Sequence, residues 1–324
     1  MLRTVVERRL SFEEAKDLFE FLLEESPVRV AAALAAMEAR KYSSEELAGL
    51  AAAMREKAVT LELGEVADTC GTGGDNASTI NVSTAAAIVL SLFTRVAKHG
   101  NLAVTSKSGS ANLLEELGIN YRLNAEAARA LVELTNFTFI FAPLYHPALA
   151  KLMPVRRELG IRTIFNFLGP LTNPAKPKRQ LVGVSSGEAA EKVAEALQIL
   201  GVEKGFVVHG DGLDEVNTSG ATDVFVVEDG IEKLRLFPED FGLRASKIVP
   251  CSSARESAAR ILAVFEGRGL EEDRNFVIAN AALALHLFNE DLRECVELIS
   301  ERLSCAARKV REIACASNSI QLNP

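Results

Sequence analysis

The amino-acid sequence predicts an α/β protein: a small helical N-terminal domain plus a larger α/β domain with a mainly parallel sheet flanked by helices. Two patterns carry this prediction. Residues 1–63 show helical periodicity alone, whereas from residue 64 short β-branched or aromatic runs alternate with helical stretches. Such alternation is typical of parallel strands covered by helices. We therefore expect one domain over 1–63 and a second over 64–324.

The N-terminal region carries three signals for the start of a helix. Ser11 with Glu14, and Ser43 with Glu46, have the spacing of capping boxes. Pro27 follows a serine and stands where the first residue of a helix would be. Three helices with short connections predict a small bundle.

The other elements are predicted from local patterns. Strands are expected over 94–97, 137–141, 181–184, 206–208 and 224–227. Helices are expected over 84–92, 111–117, 125–134, 189–200 and 254–265. The stretch 270–314 is expected to form two long helices.

Charge and composition disfavour several classes of protein. The net charge of −8 argues against a protein that coats nucleic acid or an anionic membrane. The five cysteines include no pair at CxxC spacing, so we expect reduced thiols and no structural zinc site. The N-terminus carries charges where a signal peptide would be apolar, and the longest apolar run is too short to span a bilayer. We expect a soluble, cytoplasmic protein.

A glycine-rich loop, Gly71-Thr72-Gly73-Gly74-Asp75, follows a short apolar run and precedes the helix predicted from Thr84. Glycines allow left-handed backbone angles and bring bare N–H groups close to a ligand, and a helix N-terminus adds partial positive charge. The dinucleotide pattern GxGxxG fails at Asn76, and no Gly-Lys pair completes a GxxxxGK[ST] loop. The loop therefore suits phosphate or pyrophosphate, with a simple tight turn as the alternative.

Polar clusters follow at neighbouring strand-to-helix junctions. Asn81-Val82-Ser83-Thr84 stands at a helix start, where capping is the simplest role. The segments Lys98-His99-Gly100-Asn101 and 105–110 place lysines among Gly and Ser, which suits a second anion site. Ligands of an open parallel sheet gather at the carboxyl ends of its strands, where both loops are expected. We assign no catalytic role to the three histidines His99, His146 and His209.

Together, 71–75, 81–84, 98–101 and 108–111 resemble the successive motifs of the anthranilate phosphoribosyltransferase family. Further segments are similar to the family in the same order: 146–148, 155–156, 159–166, 168–174 and 212–215. The resemblance extends from Asp68 to about Gly220. Many short motifs in one order make a chance match implausible.

The resemblance implies a helical domain, completed by a return segment near 147–168, that is hinged to an α/β domain with the substrates bound between them. It implies transfer of the phosphoribosyl group from phosphoribosyl pyrophosphate (PRPP) to the amine of anthranilate, with release of pyrophosphate, in tryptophan biosynthesis. The partners would be these two substrates and a second copy of the chain, in a homodimer through the helical domain. No nucleic acid or membrane would be involved.

The resemblance also assigns roles to residues. For PRPP it implies Gly71, Gly74, Asp75, Thr79, Asn81, Val82, Ser83, Thr84, Lys98, Ser106 and Ser110. For anthranilate it implies Gly71, Asn101 and Arg156, and for magnesium, as two ions, it implies Ser83, Asp214 and Glu215. No covalent nucleophile is expected, because the amine itself attacks C1 of the ribose.

For two of these assignments, a role without substrate or metal binding remains an alternative. Asp214 and Glu215 would point to opposite faces of a strand, whereas on a loop they can converge on a cation; they could also be two solvated acids. Arg156 could instead form a surface ion pair with Glu158, and Arg157 is a rival for its role.

The chain departs from the family pattern at Leu102, where the family usually has arginine, and at Asn112, where it usually has aspartate. The sequence after Glu215 also differs. These departures bear on affinity more than on reaction type. Two other functions are weighed. A pyrimidine nucleoside phosphorylase would carry Lys-His-Ser at 98–100, and a non-catalytic nucleic-acid-binding relative is disfavoured by the acidic charge and the intact glycine loop.

Overall fold

A computed structural model describes residues 1–75, 77–103, 108–289 and 291–320. One seven-stranded sheet has the order β3-β2-β1-β4-β5-β6-β7. Strands β1 to β5 are parallel, whereas β6 and β7 are antiparallel. The strands are β1 Ala67–Gly71, β2 Val96–Gly100, β3 Phe137–Phe141, β4 Arg179–Gly183, β5 Lys204–His209, β6 Thr222–Val227 and β7 Ile231–Leu236. The predicted fold class is confirmed.

The N-terminal region forms four helices: α1 Leu2–Glu7, α2 Phe12–Glu24, α3 Pro27–Ala39 and α4 Ser44–Glu56. Both predicted capping boxes are present, at Ser11 and at Ser43. Pro27 is the first residue of α3, as expected. Sequence patterns missed α1, because its six residues are too few to show a helical period.

The helices between and after the strands cover both faces of the sheet. They are α5 Val82–Leu90, α6 Ser110–Glu116, α7 Ala125–Thr135, α8 Ala142–Tyr145, α9 Met153–Leu159, α10 Phe165–Leu168, α11 Gly187–Ile199, α12 Ala254–Phe265, α13 Glu271–Leu285, α14 Leu292–Arg302 and α15 Cys305–Ser319. Among the described residues, no helix combines the length and apolar composition needed to cross a membrane.

Several predicted boundaries were wrong. The strand predicted over 94–97 is β2 at Val96–Gly100, so Lys98 and His99 lie within the strand and not in the loop after it. Two long helices were expected over 270–314, but the structure has three shorter helices there, α13, α14 and α15. Strands β1 and β7 were not predicted. Strand β1 is a short, partly polar segment that ends in glycine, and β7 is an exposed edge strand with several charged residues, so neither shows the apolar pattern of a buried strand.

A first apolar core joins the N-terminal helices to the segment around 149–171 and to one face of the sheet. Helix α2 packs on α4, while α9 contacts α3 and α10 contacts α4. Helix α11 also packs on α4, which brings the N-terminal bundle against the sheet layer. The segment near 147–168 therefore packs with the N-terminal helices, and the exact domain limits stay a prediction.

A second core lies on the other face of the sheet. It is rich in alanine, and α5, whose residues are all buried except the partly buried Ser83, packs closely on α13. Small side chains let these two helices approach each other, so α13 from the C-terminal region is central to the α/β layer. This contact places α13 next to the loops at the carboxyl ends of the strands.

Candidate active site

The glycine loop begins where β1 ends. Gly73 and Gly74 have φ angles of +68° and +77°, in the left-handed region that favours glycine. Asp75 Oδ1 accepts a hydrogen bond from Ala77 N at 3.1 Å, which turns the chain after the glycines. The segment then leads to α5, so the loop links the carboxyl end of a parallel strand to a helix N-terminus, as predicted.

The loop after β5 approaches this glycine loop closely. A Cβ atom at Gly71 would collide with the carboxylate of Asp214, and one at Gly183 would collide with the backbone of Asp214. Asp214 Oδ2 accepts a hydrogen bond from Gly73 N at 2.6 Å. Glycine is therefore required at both positions so that Asp214 can reach the loop after β1.

Asp214 and Glu215 lie in a loop, and both are only 9% exposed. Burial and then the charge of Asp75 raise the pKa of Asp214 to about 7. Burial and then the charge of Asp214 raise the pKa of Glu215 well above its usual value. Thr79 Oγ1 donates to Glu215 Oε2 at 3.1 Å. The solvated-acid alternative was wrong, since these carboxylates are crowded and poorly hydrated.

The close packing of the Asp214 and Glu215 carboxylates fits a site for magnesium. Buried neighbouring carboxylates repel each other, and a cation between them would restore their charged forms. The three residues assigned to the metal, Ser83, Asp214 and Glu215, line one small cavity. Their oxygen donors are those that Mg²⁺ prefers. In the described part of the chain no cluster of three or more His, Cys, Asp or Glu forms a complete metal site.

Asn280 on α13 fixes the loop that carries the two acids. Its Oδ1 accepts a hydrogen bond from Val216 N at 2.9 Å, and its Nδ2 donates to Phe276 O at 2.9 Å. Asn280 is 3% exposed and lines the same cavity as Asp214. Sequence reasoning missed it because α13 lies more than sixty residues further along the chain. The local signal is an asparagine within the otherwise apolar stretch 276–285.

Lys98 is 1% exposed and lies beneath the glycine loop. Its Nζ donates to Thr69 O and, at 3.3 Å, to Ser83 Oγ. Burial lowers the pKa of Lys98, while the nearby charge of Asp68 acts in the opposite direction. The ammonium group therefore stands between β1 and the start of α5, beside one of the residues assigned to the metal.

Asn81 is the N-cap residue of α5, but its side chain makes no capping bond, so the simple capping interpretation was wrong. Its Oδ1 accepts from Ser108 Oγ at 2.7 Å, and its Nδ2 donates to Ser108 O at 3.2 Å. Ser110 is the first residue of α6. The two anion loops predicted from sequence are thus tied together. Ser106 and part of the second loop lie outside the described residues.

Two residues of the first turn of α5 are buried. Val82 lies in the apolar core, and the hydroxyl of Thr84 has no hydrogen-bond partner among the described residues.

The return segment contacts the glycine loop through Arg162. Gly74 O accepts a hydrogen bond from Arg162 Nη2 at 3.0 Å. Sequence reasoning gave Arg162 no role of its own. It brings the return segment into contact with the glycine loop.

The two departures from the family pattern have different structural settings. Leu102 packs against the second apolar core. Asn112 Oδ1 accepts hydrogen bonds from Ala103 N at 2.9 Å and Gly109 N at 3.1 Å. An aspartate could accept the same two bonds, so asparagine keeps the acceptor that the loop needs. Asn101, exposed at the end of β2, accepts from Ala111 N through its backbone oxygen at 3.1 Å.

Arg156 lies in the last turn of α9, partly buried, with its guanidinium 5.2 Å from the ring centre of Phe165. Burial lowers its pKa, and within the described chain no carboxylate forms an ion pair with it. The alternative of an ion pair with Glu158 was therefore wrong. Arg157 is exposed. Arg156 Nη1 donates to Met153 Sδ at 3.6 Å, so the charge of the guanidinium is not balanced by a carboxylate of the described chain.

His99 and His146 are buried, with ring centres 5.2 Å apart. His99 Nδ1 lies 3.0 Å from Gly169 O, and burial lowers the pKa of His99 to about 3 and that of His146 to about 4. His209 bonds to Val184 O and accepts from Gly212 N. These contacts are structural.

The fold and this arrangement define a glycosyl transferase. The family model "Glycosyl transferase family, a/b domain" matches residues 63–306, and "Glycosyl transferase family, helical bundle domain" matches residues 2–58. The anthranilate phosphoribosyltransferase of Pyrococcus abyssi is 57% identical over 98% of this chain and 100% of that protein. The chain therefore belongs to the anthranilate phosphoribosyltransferase family, and the resemblance stated from sequence is confirmed.

Solved structures agree. The anthranilate phosphoribosyltransferase of Thermus thermophilus has a TM-score of 0.93 and 36% identity, covering 98% of this chain and 99% of that one. The Saccharomyces cerevisiae enzyme in complex with PRPP and Mg has a TM-score of 0.87 and 28% identity, covering 96% and 94%. The yeast enzyme is also known in complex with 4-fluoroanthranilate. Neither alternative function weighed from sequence is favoured by these relatives.

Proposed function

We propose that this protein transfers the phosphoribosyl group of PRPP to the amine of anthranilate and releases pyrophosphate. One observation carries the proposal beyond family membership: Gly73 N, the acids Asp214 and Glu215, and the Lys98–Ser83 pair meet at the carboxyl edge of the sheet. The reaction requires stabilisation of a departing pyrophosphate while positive charge develops at C1 of the ribose. In this arrangement Lys98 can stabilise the negative charge of the pyrophosphate, and the carboxylates of Asp214 and Glu215 lie at the same edge, where the positive charge would develop.

The leaving group is assigned to the glycine loop and the neighbouring helix start. Thr72 N donates to Gly183 O and Gly73 N donates to Asp214 Oδ2, so the N–H groups of Gly74 and Asp75 are the ones proposed to donate to phosphate oxygens. The N-terminus of α5 adds partial positive charge. Lys98 contributes a full positive charge from beneath. A donor placed toward developing negative charge typically contributes about 3 kcal/mol to lowering a barrier. The geometry supports the sequence assignment of Gly71, Gly74, Asp75, Thr79, Asn81, Ser83, Lys98 and Ser110. Val82 and Thr84, whose side chains are buried, and Ser106 are retained from sequence alone.

Magnesium is proposed to bind at Ser83, Asp214 and Glu215, as two ions. When bound, it would neutralise phosphate charge and bridge the phosphates to the protein. Mg²⁺ sites commonly use one or two carboxylates and complete their coordination with substrate phosphates and water. The raised pKa of Asp214 and Glu215 supports a cation at this position.

Anthranilate is proposed to lie between the sheet edge and the return segment. Arg156 would bind its carboxylate, since a guanidinium matches a carboxylate with two parallel hydrogen bonds. Asn101 and the backbone of Gly71 would orient the ring. The amine then attacks C1 directly, so no side chain needs to act as a covalent nucleophile.

The assembly is proposed to be a cytoplasmic homodimer formed through the helical domain, with domains over 1–63, completed by 147–168, and over 64–324. Two observations support the dimer. Val6 on α1 and Val28 on α3 are 59% and 78% exposed. Helices α1 and α3 pack on each other, so a second copy that covered this helix pair would remove both valines from water.

Loss of anthranilate fluorescence tests the reaction. We expect the signal to fall only when PRPP and Mg²⁺ are both present, and EDTA should abolish the loss. No change over a wide range of protein concentration would contradict the proposal. Phosphate-dependent cleavage of a pyrimidine nucleoside, or a mobility shift with nucleic acid in the absence of turnover, would instead support one of the two alternatives.

A further inference from the structure

Ser257 lies in the first turn of α12 and is completely buried. Its hydroxyl donates to Asn81 Oδ1 at 2.9 Å and accepts from Asn81 N at 2.9 Å. The two residues are 176 positions apart in the chain. A buried hydroxyl with both a donor and an acceptor bond to one residue holds that residue in a single position.

Asn81 in turn holds the second anion loop. Its Oδ1 accepts from Ser108 Oγ and from Ser257 Oγ, while its Nδ2 donates to Ser108 O. Asn81 therefore connects three segments: the start of α12, the end of the glycine loop, and the residues before α6. Only the last two belong to the proposed PRPP site.

A second hydrogen bond fastens the same segments. Cys251 N donates to Ser78 O at 2.6 Å, three residues before Asn81. Ser78 has a φ angle of +51°, a left-handed conformation that is unfavourable without glycine and needs external support. The next residue, Thr79, donates to Glu215. Cys251 and Ser257 thus hold the two ends of the stretch 78–81, at Ser78 and at Asn81.

We propose that Ser257 is a positioning residue for PRPP, acting through Asn81 and not by contact with substrate. This inference rests on the proposed function. With the bonds of Ser257 intact, Asn81 and Ser108 are held in place for the phosphates. Without them, these two residues must be ordered when PRPP binds, and that cost appears as weaker binding. Anthranilate, assigned to Arg156, Asn101 and the Gly71 backbone, should be much less affected, because neither Ser257 nor Asn81 forms a hydrogen bond to these groups within the described chain.

The test compares Ser257→Ala with wild type in the fluorescence assay. We expect the KM for PRPP to rise about five- to thirty-fold, as loss of one or two buried hydrogen bonds implies. The KM for anthranilate should stay within about twofold. Stabilisation of the protein by PRPP with Mg²⁺, measured as a shift in Tm, should fall in parallel. Ser257→Cys keeps a hydrogen-bonding group, although sulfur is larger and a weaker donor and acceptor than the hydroxyl, and serves if the alanine variant does not fold.

Ser253→Ala is the matched control. Ser253 caps α12 by accepting from Glu256 N at 3.2 Å and does not contact Asn81. Its removal should lower Tm by loss of a cap while leaving the KM for PRPP unchanged. The double variant Ser257→Ala with Asn81→Ala should be no worse than Asn81→Ala alone, because both changes break the same connection.

Failure of the inference and failure of the proposed function give different results. Wild-type protein without PRPP-dependent turnover would overturn the function. Active wild type with an unchanged KM for PRPP in both Ser257 variants would overturn the positioning role alone. Equal effects of Ser253→Ala and Ser257→Ala on that KM would also overturn it, since the defect would then be a general loss of stability.

Discussion

Asp214 accepts a 2.6 Å hydrogen bond from the backbone N–H of Gly73, and this bond joins the loop after β5 to the loop after β1. Gly71 and Gly183 make the approach possible, because any side chain there would collide with Asp214. The bond brings a carboxylate to the loop assigned to pyrophosphate. A cation bound there would let the two negative groups share one site.

Replacement of both acids, Asp214→Asn with Glu215→Gln, should lower turnover by on the order of 100-fold or more. The Mg²⁺ concentration for half-maximal activity should rise, because neutral amides bind the cation weakly. Titration of activity with Mg²⁺ measures both effects. Asp211→Asn is the control: Asp211 is exposed on the same loop, and asparagine tolerates its φ of +54°. An unchanged Mg²⁺ requirement in the double variant would remove the acids from the metal site.

Arg156→Ala should raise the KM for anthranilate by roughly 10- to 100-fold, the effect of losing hydrogen bonds to a charged group. The KM for PRPP should change much less. Arg156→Lys should recover little, since an ammonium group cannot form the paired bonds of a guanidinium. Arg157→Ala tests the exposed neighbour and should behave as wild type. Steady-state kinetics with each substrate varied in turn measures both KM values. Equal effects of Arg156→Ala on the two KM values would contradict the assignment of Arg156 to anthranilate.

Asn112→Asp should be nearly neutral, because the aspartate can accept the bonds from Ala103 N and Gly109 N. Asn112→Ala leaves both donors without this partner, which should cost about 1–3 kcal/mol of stability and raise the KM for PRPP. Asn124→Ala removes a comparable cap, at α7, and should lower Tm without changing that KM. If the aspartate and alanine variants fail equally, the acceptor role is wrong.

The buried histidines should make the protein less stable as pH falls. The folded-state pKa is about 3 for His99 and about 4 for His146, mainly because both rings are buried, and the positive charges of Arg55 and Lys98 add to the effect on His99. Below about pH 6.5, the unfolded chain binds protons that the folded chain does not. Stability is therefore full above that pH and declines through the range down to about 4, by up to ~1.4 kcal/mol per pH unit for each histidine.

Denaturant unfolding between pH 7 and pH 4.5 measures this decline. His99→Asn should have a shallower dependence on pH than wild type, whatever its stability at pH 7. Contributions from carboxylates are common to both proteins and cancel in the comparison. Identical slopes would show that His99 is protonated in the folded state over this range.

Local patterns were enough to predict much of this protein. Capping boxes at Ser11 and Ser43 and the β-branched runs depend on neighbours a few residues away, so the sequence alone determined the helical start, the α/β class and the glycine loop. The ordered motifs from Asp68 to Gly220 were also enough to identify the family. Lys98 was misplaced into a loop because strand ends depend on pairing partners that a single sequence does not show.

Tertiary structure decided the contacts between distant segments. Nothing near Ser257 or Asn280 in the sequence indicates that one bonds to Asn81 and the other to the chain beside Glu215. Hydrogen bonds of this kind are set by how α12 and α13 pack against the sheet, at separations of 176 and 64 residues. Composition and periodicity report local preference, whereas the positions of these side chains depend on the assembled core. The sequence therefore predicted which residues the site would contain, and only the fold decided what holds them in place.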